Sequence, residues 1–285
     1  MGTLARGWAT VTRRDGMNPS TVIGMVAGVI LLATVLVFAV DQPATFINLP
    51  GLAIVVVGTL AATFISYPLR EVVRVVRLVT IVMRNENTYS RDDMEELVQI
   101  SRMWFRDDLR AVERALERTG NPFLRTGVQL VIDGTNEHDI LDLLRWRIAR
   151  LKAKEHAEAQ IFRTMAAYAP AFGMIGTLVG LINMLYVLEE GDIAVIAQNM
   201  GIALLTTFYG ILLANLIFKP FAVKLERRTE ERLISMNMVL EGVALISQKR
   251  NPAFIQETLR SFMAQYQDEI RQAPAAVRNL AREKR

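Results

Sequence analysis

The sequence predicts an all-α membrane protein: four transmembrane helices, a cytoplasmic helical domain between the second and third, and a cytoplasmic helix after the fourth. Of the 285 residues, 52% are hydrophobic, and they are gathered in blocks. A helix needs roughly 20 apolar residues to cross a hydrocarbon core. Four blocks reach or approach this length: Ser20–Val40, Leu49–Tyr67, Met165–Leu188 and Ile193–Phe218. Outside these blocks, apolar residues recur at helical spacing, and no alternating strand pattern competes with it.

The distribution of Lys and Arg predicts the orientation of the four spans. Basic residues precede the first span, fill the region between the second and third, and follow the fourth. The two short turns, Asp41–Asn48 and Glu189–Asp192, contain no Lys or Arg. Both termini and the middle region are therefore expected in the cytoplasm. The net charge of +4 reflects this bias. It does not indicate nucleic-acid binding, because the basic residues are interleaved with acidic ones.

These features divide the chain into five predicted segments. A cytoplasmic extension (1–17) precedes a pair of transmembrane helices (18–68), and a cytoplasmic helical domain (69–163) precedes a second pair (164–221). Cytoplasmic helices and a polar tail (222–285) follow. Met17 begins a stretch that resembles a natural start, so the first sixteen residues are an extension or an alternative start. Cytoplasmic helices are predicted over Leu69–Arg84, Arg91–Phe105, Asp107–Arg118, Pro122–Asp133 and Asn136–Gln160, the last continuing into the third span.

Small residues on two of the spans predict closely packed helix faces. The first span contains Gly24-x-x-x-Gly28, and the third contains the series Gly173, Gly176 and Gly180. Glycines at this spacing let two helix backbones approach each other inside a membrane. For Gly24 and Gly28 the alternative is chance in a glycine-rich segment.

Two prolines interrupt the backbone hydrogen bonding of the third and fourth spans. Pro170 lies one or two turns inside the third span, and Pro220 follows the fourth. Proline lacks the N–H that a helix interior requires. We expect each to act as a hinge between the membrane hairpin and the cytoplasmic helices, and a passive kink is the alternative.

The interiors of the four spans contain hydroxyl groups but no Asp, Glu, His, Lys or Arg. A proton or ion relay normally needs an ionisable group at depth, so this chain alone lacks the ion-binding residue. Thr177, Thr206, Thr207 and Tyr209 are predicted to line a hydrated path, where Thr oxygens suit a hard cation. The alternative for each Thr is a bond back to its own helix.

No pattern for catalysis or resident metal binding is present. The chain has no cysteine, and its two histidines, His138 and His156, lie far apart in a charged region. The sequence also lacks a phosphate loop and the spacing of a catalytic triad. We therefore expect neither an enzyme nor a bound cofactor.

At the residues of the membrane hairpin the chain resembles the MotA/PomA family of flagellar stator subunits. The likeness runs in order from about Asn18 to Met263 and includes the four-span layout. The matching stretches are Ala169–Gly180, Ala203–Gly210, Ala214-Asn215, Pro220, Gly58–Pro68, Asn121–Phe123, Glu241-Gly242 and Asn251-Pro252.

The resemblance implies an ion-driven motor subunit of the bacterial inner membrane that serves motility and chemotaxis. Such subunits form a ring of five around a single-span, peptidoglycan-binding partner of the MotB/PomB type, which carries the ion-binding aspartate. Ion flow turns the ring, whose cytoplasmic charges engage the rotor protein FliG. Pro170 and Pro220 match the two functional prolines of the family.

The resemblance also bears on the transported ion and on the rotor contact. Thr177 stands where sodium-type stators carry Thr and proton-type stators Ala, and Thr206-Thr207 resembles the pair of the sodium-type PomA branch. Sodium is therefore favoured over the proton.

Arg106 and Glu113, with Arg110 and Glu117 nearby, fit the rotor-facing charges. Asp107-Asp108 replaces the usual Gly, and a solvated charged helix is the alternative.

Two other functions stay open on the sequence. An ExbB/TolQ-type subunit belongs to a related ion-driven ring, but such proteins usually have three spans and lack a match to Ala203–Gly210. A passive membrane scaffold would use the Thr and Pro residues for structure alone.

Overall fold

The computed structural model describes residues 46–83, 90–188 and 193–264, together with scattered positions between 23 and 38. Throughout these residues the regular structure is helical, which confirms the predicted all-α fold. The α-helices are α1 (Leu49–Ser66), α2 (Leu69–Met83), α3 (Ser90–Phe105), α4 (Leu109–Arg118), α5 (Pro122–Ile132), α6 (Glu137–Leu188), α7 (Ile193–Leu212), α8 (Lys219–Ser247) and α9 (252–264).

Three stretches of the described chain are long and apolar enough to cross a membrane. They are Leu49–Ser66, Glu137–Leu188 and Ile193–Ser247. They contain the third and fourth predicted spans and all of the second except Tyr67, which caps the helix. Most of the first predicted span, the extension before it, the turn Glu189–Asp192 and the polar tail lie outside the described residues. The described positions between 23 and 38 are helical.

The third span is the C-terminal part of a much longer helix. Helix α6 has 52 residues and includes Pro170 without ending there. At 1.5 Å per residue it is about 78 Å long. The charged helix and the third span are therefore continuous, as the sequence predicts.

The fourth span ends in a π-helix that the sequence does not predict. Residues Leu213–Phe218 adopt this wider turn between α7 and α8, and the N–H of Lys219 bonds the carbonyl of Ala214. Pro220 follows immediately and has no N–H to donate. The side-chain amide of Asn215 donates to the carbonyl oxygen of Ile211 at 2.9 Å. The Asn215 amide thereby supplies a hydrogen-bond donor to a carbonyl near the point where the α-helix becomes a π-helix.

The chain divides into two compact units, neither of which is continuous in sequence. Unit 1 comprises residues 1–86 and 158–225, and unit 2 comprises 87–157 and 226–285. Helices α6 and α8 contribute residues to both. The five-segment division predicted from the sequence stays a prediction.

Unit 1 has two small buried clusters among its described residues. One is built on α2, α6 and the start of α8, where the rings of Phe162 and Phe221 lie 5.8 Å apart. The other joins Val55 of α1 to Ala166 and Ala169 of α6 and to Ala214. Small residues in the second cluster allow the backbones to lie close together.

Unit 2 has a larger apolar core, built on helices α3, α4, α5 and α9 and the parts of α6 and α8 that belong to it. Its described core residues include Leu97, Leu124, Leu144, Met238 and Leu259, each fully buried. This core explains why a short helix such as α4 is stable here, because most helical stability in proteins comes from packing an apolar face.

The helix predicted over Asp107–Arg118 begins two residues later than expected, at Leu109. Asp107 has a φ of 55°, in the left-handed region, which ends the preceding helical turn. The carboxylate of Asp108 then accepts the N–H of Ala111 at 3.1 Å and caps α4. The carboxylate of Asp107 pairs with Lys249 at 2.9 Å. The two aspartates therefore build a turn between two helices.

Candidate functional site: the glycine and threonine interface of the membrane hairpin

The glycine series of the third span packs directly on the fourth span. A Cβ atom at Gly173 would lie 2.9 Å from the backbone oxygen of Thr206, and one at Gly176 would lie 2.6 Å from the Thr206 side chain. A Cβ at Gly180 would lie 2.7 Å from the Cβ of Ala203. Real Cβ atoms do not approach other atoms this closely. The contact between α6 and α7 therefore depends on the absence of side chains at these three positions.

Thr206 and Thr207 donate across this interface to one carbonyl of the third span. The hydroxyl of Thr206 lies 2.7 Å from the oxygen of Ala203 in its own helix and 3.1 Å from the oxygen of Gly173. The Thr207 hydroxyl lies 3.3 Å from the same Gly173 oxygen. Thr206 is fully buried. The two hydroxyls thus hold α6 and α7 together.

Thr177 is not brought into this arrangement. Its hydroxyl donates to the carbonyl of Met174, one turn back in its own helix, and the side chain is partly exposed. This geometry is the bond to the same helix that the sequence leaves open as an alternative. A Thr hydroxyl that donates its proton still has lone pairs to offer a cation.

Tyr209 holds the segment that precedes α1. Its hydroxyl donates to the carbonyl oxygen of Phe46 and accepts the N–H of Asn48 at 2.8 Å. The side chain of Asn48 in turn caps α1 by accepting the N–H of Gly51 at 2.8 Å. The Tyr209 hydroxyl is therefore occupied by backbone groups, where the sequence predicts that it lines a path.

These contacts place the start of α1 beside the middle of the fourth span. A Cβ at Gly51 would lie 3.1 Å from the side chain of Thr206. The helix from Ile193 to Thr206 is about 20 Å long. The second span is thus offset along the hairpin, because α1 begins beside Thr206 and not beside the start of α7 at Ile193.

The two prolines lie in distinct surroundings. A Cβ at Gly210 would lie 2.6 Å from the oxygen of Ala169 and 3.1 Å from the Cα of Pro170, so α7 presses on the backbone at the proline. Pro220 follows the π-helix and is exposed. Sequence reasoning missed the contact of Gly210, although this glycine ends the stretch Ala203–Gly210.

The glycines of the first span make less contact within the described chain. A Cβ at Gly28 would lie 3.4 Å from a side-chain carbon of Leu216, which is an ordinary separation. Nothing in the described residues lies within 4 Å of such an atom at Gly24. The predicted packing face at Gly24 therefore has no partner there.

The four candidate rotor-contact residues are all exposed, but they do not share one helix. Arg110, Glu113 and Glu117 lie on α4 at spacings of three and four, which places them on one face. Arg106 lies in the turn before α4. The left-handed Asp107 separates Arg106 from α4, so Arg106 and Glu113, although seven residues apart, do not lie on one face of a helix.

A buried carboxylate in unit 2 was also missed from the sequence. Asp93 is 2% exposed, and its Oδ2 accepts hydrogen bonds from Asn121 at 2.9 Å and Ser235 at 3.0 Å. Burial raises the pKa of this carboxyl group, and the two hydrogen bonds oppose that rise. These bonds join α3 to the start of α5 and to α8. Asp93 is one of several acids at the start of α3, so nothing in its position along the sequence distinguishes it.

The structure thus defines a multi-span helical membrane protein whose long third and fourth spans pack through glycine and threonine. A family profile described as the MotA/TolQ/ExbB proton channel family matches residues 115–238. Motility protein A of Borreliella burgdorferi is 32% identical over 250 residues, which cover 87% of this chain and 94% of that protein. The chain belongs to this family, as its resemblance to MotA/PomA proteins predicts.

Two further similarities bear on the fold and on the branch of the family. The flagellar MotAB stator complex from Bacillus subtilis contains a chain that superimposes with a TM-score of 0.79 at 22% identity, covering 90% of this chain and all of that one. The chemotaxis protein PomA of Vibrio alginolyticus is 26% identical over 249 residues, 87% of this chain and 96% of that protein. Overall identity therefore does not assign the chain to the PomA branch.

Proposed function

We propose that this chain is a MotA-type subunit of an ion-driven flagellar stator. The observation that carries the proposal is the extent of the similarity to motility protein A, since 32% identity over 87% of the chain includes both the membrane hairpin and the charged helices. The ExbB/TolQ alternative shares the family profile. The four-span layout of the sequence and the relatives named as motility proteins favour the stator.

The chain works with a second subunit that supplies the ion-binding carboxylate. Its own spans contain no ionisable side chain in their interiors, and a polar path through a membrane normally requires one. Solved structures with the same fold come from MotAB complexes. A MotB/PomB-type, single-span partner that binds peptidoglycan is therefore the natural complement, with this chain as the ring of five around it.

The hairpin and the charged helices have separate roles in this proposal. Pro170, pressed by Gly210, and Pro220, which follows the π-helix, are hinges in the helices that continue from the membrane into unit 2. The exposed face of α4, with Arg110, Glu113 and Glu117, contacts the rotor protein FliG, and Arg106 contributes from the adjoining turn. Both termini and unit 2 lie in the cytoplasm of a bacterium, beneath its inner membrane. They are rich in basic residues, and segments rich in Lys and Arg stay on the cytoplasmic side of a membrane.

We favour sodium as the transported ion over the proton. The support is the hydroxyl of Thr177, which is partly exposed and keeps its lone pairs available. Thr206 and Thr207 contribute less directly, because their hydroxyls donate to Gly173. Five copies of Thr177 around a partner carboxylate would replace water oxygens that sodium must shed.

The test is deletion of the gene in its host, with scoring of swimming and of flagella. We expect cells that still bear flagella but do not swim, and restoration of swimming by the wild-type gene on a plasmid. Normal swimming after deletion, in a strain without a second stator set, would contradict the proposal. Defective energy-dependent uptake across the outer membrane, with normal swimming, would instead support the ExbB/TolQ alternative.

A further inference from the structure

An open cleft in unit 1 lies where the third span begins and the fourth span ends. It has a volume of about 350 Å³ and lies between α6 and the first turn of α8. Its lining residues are Arg163, Ala166, Ala167, Pro170, Lys219, Ala222 and Val223. We propose that this cleft binds the phosphate of an anionic phospholipid.

The charge of the cleft suits an anion. Arg163 and Lys219 line it, and the described lining includes no acidic residue. The ammonium group of Lys219 donates one hydrogen bond to the side chain of Asn215 at 2.8 Å. A lysine has three donors, so this bond leaves others for a ligand. The guanidinium of an arginine has a planar fork that matches the oxygens of a phosphate.

The position of the two cations matches the level of lipid headgroups. Arg163 precedes Met165, where the third apolar block begins, and Lys219 directly follows Phe218, where the fourth block ends. Because the two spans run in opposite directions, both cations lie at the same end of the hairpin. Basic pockets between transmembrane helices at the cytoplasmic side are suited to anionic lipid headgroups.

The rest of the lining favours a lipid over a free phosphate ion. Ala166 and Ala222 are buried, and Ala167, Pro170 and Val223 add further apolar surface. A free phosphate would leave this surface without a partner. A phospholipid places its glycerol and the first acyl carbons beside its phosphate, so both kinds of lining are matched.

A ligand in the cleft would contact the chain close to both prolines, Pro170 in α6 and Pro220 in α8. Pro170 is itself a lining residue, and Lys219 stands between the π-helix and Pro220. A bound lipid would therefore restrain the two helices relative to each other at this level. The composition of the membrane then becomes a determinant of how easily the hinges move.

The experiment is native mass spectrometry of the full chain, purified in detergent with any subunits that accompany it, and titrated with phosphatidylglycerol or phosphatidylcholine. We expect the wild type to retain phosphatidylglycerol selectively. The double variant R163Q/K219Q should bind it about twenty-five-fold more weakly, which is a fivefold loss for each cation removed. R70Q/R74Q is the matched control, since it removes two basic residues of α2 that do not line the cleft, and it should bind as the wild type does.

A second variant tests the cleft without changing charge. Ala167 is exposed in the cleft, and Ala167→Phe should fill the space and reduce retention of phosphatidylglycerol, even if the double variant does not fold. Equal retention by Ala167→Phe and the wild type would overturn the proposal. So would equal losses in R163Q/K219Q and R70Q/R74Q, which would indicate general charge attraction. Displacement of the lipid by excess inorganic phosphate would identify a free-phosphate site instead and would also overturn it.

Discussion

The hydroxyl of Thr206 donates a hydrogen bond to the carbonyl oxygen of Gly173 on the facing helix, at 3.1 Å. The contact exists because Gly173 and Gly176 have no side chains to separate the two backbones. Inside a membrane, where lipid offers no hydrophobic drive for association, close packing and interhelical hydrogen bonds hold helices together. Thr206, which the sequence predicts to line an ion path, therefore secures the contact between α6 and α7.

The first prediction concerns this packing. Gly176→Ala should destabilise the protein, because the new Cβ would meet the Thr206 side chain at 2.6 Å. Overpacking of this kind typically costs about 1–3 kcal/mol. The measurement is the midpoint of thermal unfolding in detergent.

Gly201→Ala is the matched control on α7, since nothing in the described chain lies within 4 Å of its Cβ. It should be neutral or slightly stabilising. A lower midpoint for Gly201→Ala than for Gly176→Ala would contradict the packing argument.

The second prediction concerns Tyr209. Tyr209→Phe should lower the free energy of unfolding by about 0.5–1.5 kcal/mol, because the N–H of Asn48 and the carbonyl of Phe46 lose their partner. Tyr186→Phe, at a residue that is 77% exposed, is the control and should change little. Swimming speed as a function of external sodium separates the two roles. A change in sodium dependence without a loss of stability would restore Tyr209 to the ion path.

Tyr209 also illustrates what the sequence predicts and what it does not. The described spans and most helices follow from the length and period of the apolar pattern, and their observed bounds agree within a few residues. The partners of the Tyr209 hydroxyl lie more than 160 residues earlier in the chain, and no local pattern specifies such a pair. The offset of α1 along the hairpin depends on this contact and was missed with it.

The π-helix and the turn at Asp107 were missed for a different reason. The π-helix is a change in the register of the helical hydrogen bonds, and the turn depends on the left-handed backbone of Asp107. The side chains at both places are common ones. Asn215 in the fourth span, Pro220 after that span and Asp107-Asp108 before α4 are visible in the sequence. Their meaning comes from the hydrogen bonds they make, such as that of Asn215 to Ile211. Sequence periodicity does not register these bonds.

The third prediction concerns the buried carboxyl group of Asp93. Because burial raises its pKa in the folded protein, the folded state binds this proton more tightly than the unfolded state does. The contribution of Asp93 to stability is therefore most favourable at acidic pH and falls as pH rises through the folded pKa. Asp93→Asn keeps an oxygen acceptor and removes the titration.

The measurement for Asp93 is the difference in unfolding free energy between the wild type and Asp93→Asn, from about pH 4 upward. Other carboxyl groups are common to both proteins and cancel in this difference. We expect the wild type to lose stability relative to the variant as pH rises. A constant difference for Asp93→Asn across this range would contradict the prediction.

The fourth prediction concerns the exposed face of α4. Reversing Glu113 to Arg should reduce torque in part, and an opposite reversal on the rotor should restore some of it. The loss should be partial, because an exposed ion pair contributes only about 0–1 kcal/mol. The measurement is the rotation speed of tethered cells under load. Reversing Glu257, an acid of α9 outside that face, is the control and should leave torque unchanged. Wild-type torque in the double reversal of Arg110 and Glu113 would show that the rotor contacts another surface.

The last prediction concerns the transported ion and depends on Thr177. In a strain that has this stator alone, swimming speed should rise with external sodium at fixed pH. Thr177→Ala should shift that dependence to higher sodium, because the proposed ring of five would lose five hydroxyl oxygens beside the proposed partner carboxylate. Thr177→Ser keeps the hydroxyl and should restore the wild-type dependence. Thr177 is partly exposed and bonds only Met174 of its own helix among the described residues, so its removal should scarcely change stability. Swimming of the wild type that is independent of sodium would assign the motor to the proton, and Thr177 would then be a helix residue whose hydroxyl serves its own backbone.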